Sequence, residues 1–106
     1  MKFLPGEVKT AHAMYVGVDG KPAEVQGDVK WTVDPAGAVE FVPGADRLAI
    51  GVVMGAPVAL FTLTATADAD LRDGADFVRD LAIKNDPADP FEISAPEATG
   101  GAVTVS

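Results

Sequence analysis

The stretch FTLTATA at positions 61–67 alternates apolar and polar side chains at every residue. Successive side chains of a β-strand point to opposite faces of the sheet, so this pattern gives one apolar row and one threonine row. A helix would need its apolar residues three and four positions apart. Because β-branched threonine also favours extended backbone, the stretch predicts a half-buried antiparallel strand.

The same spacing of two recurs in short runs that end at Gly, Pro and Asp, which is typical of an all-β sandwich or barrel. Pro cannot donate to a strand ladder and Gly permits positive φ, so these residues mark turns. In the run at 76–84 the spacing of Phe77, Leu81 and Lys84 also suits one or two helical turns, but the β context on both sides favours a strand. The runs predict strands at residues 7–18, 28–33, 39–42, 47–53, 58–67 and 76–84.

Alternation also predicts which side chains share a face. In the first strand Val8, Met14, Val16 and Val18 fall on one parity and Tyr15 on the other. In the second strand, residues 28–33, the parity predicts that the tryptophan at position 31 lies in the core with the valines on either side of it.

The chain has 106 residues, a length that suits one domain. We expect an N-terminal arm at residues 1–6, a sandwich at 7–86, and a C-terminal linker with a last strand or tail at 87–106. Two short apolar patches, at 91–94 and 102–105, lie in a Pro- and Gly-rich region. One of them is predicted to be the last strand and the rest a tail.

The formal net charge is −8 and there is no cysteine. Nucleic acids and anionic membranes attract basic surfaces, so neither is expected as a partner, and a neutral or basic protein surface fits better. The alternative is that acidity only keeps the domain soluble and apart from its copies. Disulfides and thiolate metal sites are excluded. We also expect no export signal, because no apolar segment follows the first residues.

Four aspartates lie in residues 68–76, around a glycine, and raise the question of a calcium loop. An EF-hand loop needs oxygen ligands at positions one, three, five and twelve. A loop that began at Asp68 would place Arg72 at position five and Arg79 at position twelve. We therefore predict a solvated loop over residues 68–75 and no metal, with a looser calcium site from Asp68, Asp70 and Asp73 as the alternative.

Catalytic motifs are absent from the sequence. His12 is the only histidine, so triads and zinc sites built on several histidines are excluded, and no phosphate loop or nucleophile elbow occurs. On alternation His12 shares the face of Val8 and Met14 and is predicted to be a partly buried strand residue. The chain is therefore predicted not to be an enzyme and to bind no cofactor.

Two runs resemble a known family. The run GDVKWTVDP at 27–35 is similar to the opening of bacterial immunoglobulin-like group 2 domains, and FTLTATAD at 61–68 is similar to their threonine-rich strand. The similarity covers about residues 8–83. One departure is the segment APVA at 56–59, where members usually carry a Gly-Thr or Gly-x-Ala step. The resemblance implies an immunoglobulin-like β-sandwich of about seven antiparallel strands, here with extended N- and C-terminal arms, and no catalysis.

Such domains occur in intimin-like adhesins and in tailed-phage structural proteins. The resemblance therefore implies a virion protein, made in the host cytoplasm, that decorates a capsid or tail and binds the major capsid protein or other virion proteins. Self-association on the particle is left open. The alternative is a cell-surface adhesion or carbohydrate-binding module of a larger protein, with an exposed aromatic platform. The predicted docking contacts are Phe3, Leu4, Asp68, Asp70 and Asp73, with the aspartates facing a basic neighbour.

Overall fold

The computed structural model describes residues 2–44, 46–55, 60–71, 78–86, 88–93 and 100–106. These residues form strands and no helix, which confirms the prediction of an all-β chain. Nothing among them is a helix with the length and apolarity needed to cross a membrane. The strands are β1 (Val8–Tyr15), β2 (Glu24–Asp34), β3 (Val39–Pro43), β4 (Ala49–Met54), β5 (Thr62–Asp70), β6 (Val78–Asp86), β7 (Asp89–Ile93) and β8 (Gly101–Val105).

The strands form two antiparallel sheets of four strands each, which pack as a β-sandwich around one hydrophobic core. The β1 sheet has the strand order β3-β4-β1-β8, and the β5 sheet has the order β2-β5-β6-β7. Eight strands are described where about seven were predicted. The difference arises because both C-terminal patches form strands, one at an edge of each sheet, and bury Ile93 and Val103 in the core.

Three contacts establish how the two sheets lie over each other. The Tyr15 hydroxyl on β1 donates to the backbone oxygen of Ala65 on β5, at 2.9 Å. Just before β4, the Arg47 guanidinium donates to the backbone oxygens of Val25 and Gly27 on β2, both at 2.9 Å. Strand β8 packs against β6. These contacts place β4 over β2, β1 over β5 and β8 over β6. Because β3 is the next strand beyond β4, it extends past β2 on one side of the sandwich.

The alternation that predicted β5 is confirmed. The row of odd-numbered residues from Leu63 to Ala69 is buried, and the threonine row opposite is only partly buried. The strand continues to Asp70 because β2 pairs with it up to Glu24. Strand β2 can reach that far because a bulge between Gln26 and Lys30 absorbs two extra residues of β2, in a segment that includes Gly27 with φ +73°.

The face of β1 that the structure buries is the one with the smaller side chains. Ala11, Ala13 and Tyr15 point into the core, while Val8 and Met14 remain 64% and 50% exposed. The apolar even-numbered row therefore lies on the outside of the sandwich. The physical reason is that the odd-numbered row carries Tyr15, whose side chain spans the space between the sheets and whose hydroxyl finds an acceptor on β5, while the alanines beside it leave room for the ring.

The predicted run at 76–84 overlaps strand β6, described as Val78–Asp86, so the preference for a strand over a helical turn is confirmed for the described residues. Near its end lies Asn85, the buried polar side chain of the core. Asn85 Oδ1 accepts the backbone N–H of Phe61, and the Asn85 backbone N–H donates to the Phe61 oxygen at 3.3 Å. These bonds satisfy polar groups at the buried entry to β5.

The predicted N-terminal arm lies against the sandwich over residues 2–6 instead of extending from it. The Phe3 N–H donates to the Phe91 oxygen of β7 at 2.6 Å, and the Phe3 side chain is 2% exposed. The Gly6 N–H then donates to the Met54 oxygen of β4 at 3.0 Å. The segment thus crosses from the edge of the β5 sheet to the β1 sheet and closes one end of the core with an aromatic ring.

We expect Phe3→Ala to lower the free energy of unfolding by about 3 kcal/mol or more, because it removes a fully buried ring and leaves a cavity. Leu4→Ala, at a neighbouring side chain that is 51% exposed, should change it by about 0.5 kcal/mol or less. Urea unfolding measures both. Equal effects of the two substitutions would show that the segment does not dock on the sandwich in solution.

Candidate functional site

The structure separates the predicted docking residues. Phe3 is buried in the core and Leu4 is exposed beside the start of β1. Asp68 and Asp70 lie on β5 itself, not in the predicted loop, because the strand and its pairing with β2 continue through them. Asp73 lies outside the described residues, as does the rest of the predicted loop beyond position 71.

Phe3 and Leu4 lie at one end of the sandwich, and Asp68 and Asp70 lie toward the other. The backbone oxygen of Leu4 accepts the N–H of Glu7, just before β1. The backbone oxygen of Leu71, next to Asp70, accepts the N–H of Val18, beyond the end of β1. Strand β1 between them has 8 residues, which span about 26 Å at roughly 3.3 Å each. The docking role of these residues stays a prediction, but they cannot form one contiguous contact patch.

The acidic residues of β5 face polar side chains of β2. Glu24 lies opposite Asp70 in the pairing of β2 with β5, and Gln26 lies opposite Asp68. In the part of the chain that the structure describes, no group of three or more His, Cys, Asp or Glu side chains could hold a metal ion.

The outward face of the β5 sheet is polar. The β2 residues paired with the outward row of β5 have charged, amide or hydroxyl side chains. The paired positions from one end to the other are Asp34 with Thr62, Thr32 with Thr64, Lys30 with Thr66, Gln26 with Asp68 and Glu24 with Asp70. A solvated outer face of this kind is the ordinary one for a half-buried antiparallel sheet.

The outward face of the β1 sheet is largely apolar, and we call it the outer β1 face. It consists of the even-numbered residues of β1, the residues paired with them on β4 and β8, and the β3 residues paired beyond β4. Its ionisable members are Glu40 and His12. The full set is Val8, Thr10, His12, Met14, Glu40, Val42, Ala49, Gly51, Val53, Ala102 and Thr104.

Two glycines allow close packing in the β1 sheet. A Cβ atom added to Gly51 would lie 2.3 Å from a Val42 methyl carbon, so the glycine makes room for the valine to lie across the sheet. Gly101 has φ +126°, and a Cβ atom there would lie 1.9 Å from the Met14 oxygen. This glycine allows β8 to approach β1 closely beside Met14.

A groove with a volume of about 340 Å³ adjoins the outer β1 face at the end of β1. The groove exists because β1 continues to Tyr15, whereas its neighbour on the β4 side ends opposite Ala13. There the Ala13 N–H donates to the Leu48 oxygen at 2.8 Å. The turn after β1 returns across the gap, and the Ala23 N–H donates to the Tyr15 oxygen. The lining is mainly apolar, from residues 12–16, 20, 22, 23, 25 and 48.

Two ionisable side chains line the groove. His12 is partly exposed, and its Nε2 lies 3.9 Å from Asp46 Oδ2. The Tyr15 hydroxyl donates to the Ala65 oxygen. Burial, and secondarily the negative charge of Asp80, raises the pKa of Tyr15 to about 12. Because the phenol is held neutral and engaged as a donor, the groove is better suited to apolar contact than to proton transfer.

No family model matches the chain, and no curated protein or solved structure matches it either. The immunoglobulin-like resemblance therefore stays a prediction from the sequence.

Sequence reasoning missed the outer β1 face because it singled out the exposed ends of the chain and the acidic residues. A signal was present. Both rows of β1 contain apolar residues, and the row with alanines at 11 and 13 also carries Tyr15, the side chain that fills the space between the sheets. The larger valine and methionine side chains are then left on the outside.

The raised pKa of Tyr15 predicts a loss of stability at high pH. The folded chain favours the neutral phenol, so this contribution is complete below pH 10.0, the usual pKa, and is lost as the pH rises through about 12. Phenolate absorbance should report this directly, since Tyr15 is the only tyrosine.

Tyr15→Phe should lower the free energy of unfolding by about 1 kcal/mol at neutral pH, through loss of the hydrogen bond to Ala65. Above pH 10 the variant should lose less stability than the unsubstituted chain, when both are unfolded with urea at a series of pH values. A phenolate titration near pH 10 in the folded chain would contradict the buried placement.

Proposed function

We propose that this chain is a non-enzymatic structural module that binds other proteins through the outer β1 face. The observation that carries the proposal is the contrast between the two outward faces of the sandwich. One is built of Thr, Asp, Glu and Lys, as a solvated face should be, and the other exposes Val8, Met14 and Val42. Exposed apolar patches of this kind commonly mark interaction sites.

The size of the outer β1 face suits a weak contact that is repeated many times. Four strands about 4.8 Å apart, each 5 to 8 residues long at about 3.3 Å per residue, give an area of roughly 400 Å². A stable pairwise interface buries about 800 Å² on each partner. Copies arrayed on a regular surface can compensate for weak single contacts by multivalency, which is the situation of a decoration protein.

The sequence resemblance supports the more specific proposal of a phage virion protein, bound to the capsid or tail through the major capsid protein or another virion component. An immunoglobulin-like relationship is proposed at the level of sandwich architecture. In constant-type immunoglobulin domains strands A, B, E and D form one sheet and C, F and G the other. Here β5, β6 and β7, three consecutive strands, share one sheet, so the order of strands differs.

The adhesion or carbohydrate-binding alternative has less support. It expected an exposed aromatic platform at Tyr15 or Trp31. Tyr15 is 3% exposed, and Trp31 packs against the core from the inner face of β2.

The test of the proposed function is co-sedimentation with purified tailed-phage virions stripped of this protein. Met14→Glu and Val8→Glu should each weaken binding at least about tenfold, because they bring a charge into the apolar contact, a cost of about 1.4 kcal/mol. Thr64→Glu is the matched control. It makes the same change of net charge on the polar face of the β5 sheet and should bind like the unsubstituted chain.

Circular dichroism and urea unfolding confirm that each variant is folded. Lack of binding by the unsubstituted chain would contradict the virion role. An equal loss for Thr64→Glu would instead contradict the assignment of the contact to the outer β1 face.

A further inference from the structure

The lateral offset of the two sheets leaves one strand position empty among the described residues. Because β3 extends past β2, the position next to β2 and beneath the inner face of β3 has no described strand. Side chains that point toward this position pack against the core but stay partly exposed. We call them the open side: Val29, Trp31, Val33, Phe41, Leu48 and Ile50.

The opposite side of the sandwich is more fully covered. Val103 on β8 is 0% exposed, and Val105, Ile93 and Phe3 are also buried, with Phe91 partly buried beside them. Most of the partly buried apolar side chains therefore lie on the open side. The open side includes Trp31 and Phe41, aromatic side chains of the type that often anchors protein interfaces.

The edge of β2 next to the open side has backbone groups that a further strand can use. Strand β2 pairs with β5 along one edge and is the outermost strand of its sheet. Near the bulge, the Arg47 guanidinium already occupies the oxygens of Val25 and Gly27. The length from Val29 to Asp34 remains, and an unpaired strand edge is a template for another strand.

Charge selects which kind of strand can approach. Strand β2 carries exposed Glu24, Asp28 and Asp34 against Lys30, with Arg47 as a second positive charge near the bulge, and the whole chain has a net charge of −8. A second copy of this chain would be repelled at this edge, whereas a segment rich in Lys or Arg would be attracted.

We propose that the open side accepts an extended basic segment of a partner protein, which adds to β2 as the next strand of the β5 sheet. Its alternate apolar side chains contact Trp31 and Phe41, and its Lys or Arg side chains lie near Asp28 and Asp34. Main-chain hydrogen bonds supply affinity and alternate side chains supply selectivity in such strand addition. This site is separate from the outer β1 face and goes beyond the function proposed for that face.

The test uses a synthetic eight-residue peptide of alternating valine and lysine, titrated into the full chain at low salt. Trp31 is the only tryptophan, so its fluorescence reports on the open side alone. We expect a saturable blue shift of emission and protection from acrylamide quenching. Asp28→Asn with Asp34→Asn should weaken binding about fivefold, because two screened ion pairs are lost.

Two control peptides separate strand addition from simple charge attraction. A peptide with the same residues in two blocks, lysines first and valines second, should bind at least about tenfold more weakly, since its apolar side chains do not alternate. A peptide methylated on the backbone nitrogens of alternate residues keeps every side chain but cannot pair along that edge, and should give no blue shift.

Thr64→Ala, on the far face of the β5 sheet, should bind the alternating peptide unchanged. Equal binding of all three peptides, or binding without a change at Trp31, would overturn the proposal, as would the absence of binding. None of these results would change the outcome of the co-sedimentation test, which depends on substitutions of Val8 and Met14 on the other sheet.

Discussion

The hydrogen bond that the Tyr15 side chain on β1 makes to the Ala65 oxygen on β5 is the contact between the sheets on which the rest of the sandwich depends. At the centre of the core, Ala11 and Ala13 face the alanine row of β5, and all are buried. Small side chains allow the Tyr15 hydroxyl to cross between the sheets and donate to the Ala65 oxygen. Burial of these central rows also decides which row of β1 is left outside, and hence where the apolar outer face lies.

Larger side chains complete the core away from this centre, and they do so unequally. On one side Phe3, Ile93 and Val103 fill the space between the sheets. On the other, the offset of β3 past β2 leaves Trp31 and Phe41 partly exposed, with Arg47 as a polar link between the sheets. The two proposed binding surfaces both follow from this arrangement, one from the row that β1 turns outward and the other from the offset.

The two surfaces would operate by different physical means. The outer β1 face is small and largely apolar, so it suits repeated weak contacts on an ordered array. The open side offers backbone hydrogen bonds and an acidic edge, so it suits one extended basic segment. A chain with a net charge of −8 can use both surfaces toward a partner of opposite or neutral charge.

The sequence by itself determined the β class, the alternation of β5 and the approximate position of six strands, because period-two patterning and turn residues are local properties. It did not determine which of two apolar rows of β1 would be buried, that Phe3 would close the core, or that Asp68 and Asp70 would continue a strand. Those outcomes depend on what lies across the sheet interface and on how far β2 pairs with β5. Only the tertiary structure brings residues 50 or more positions apart, such as Tyr15 and Ala65, within hydrogen-bonding distance.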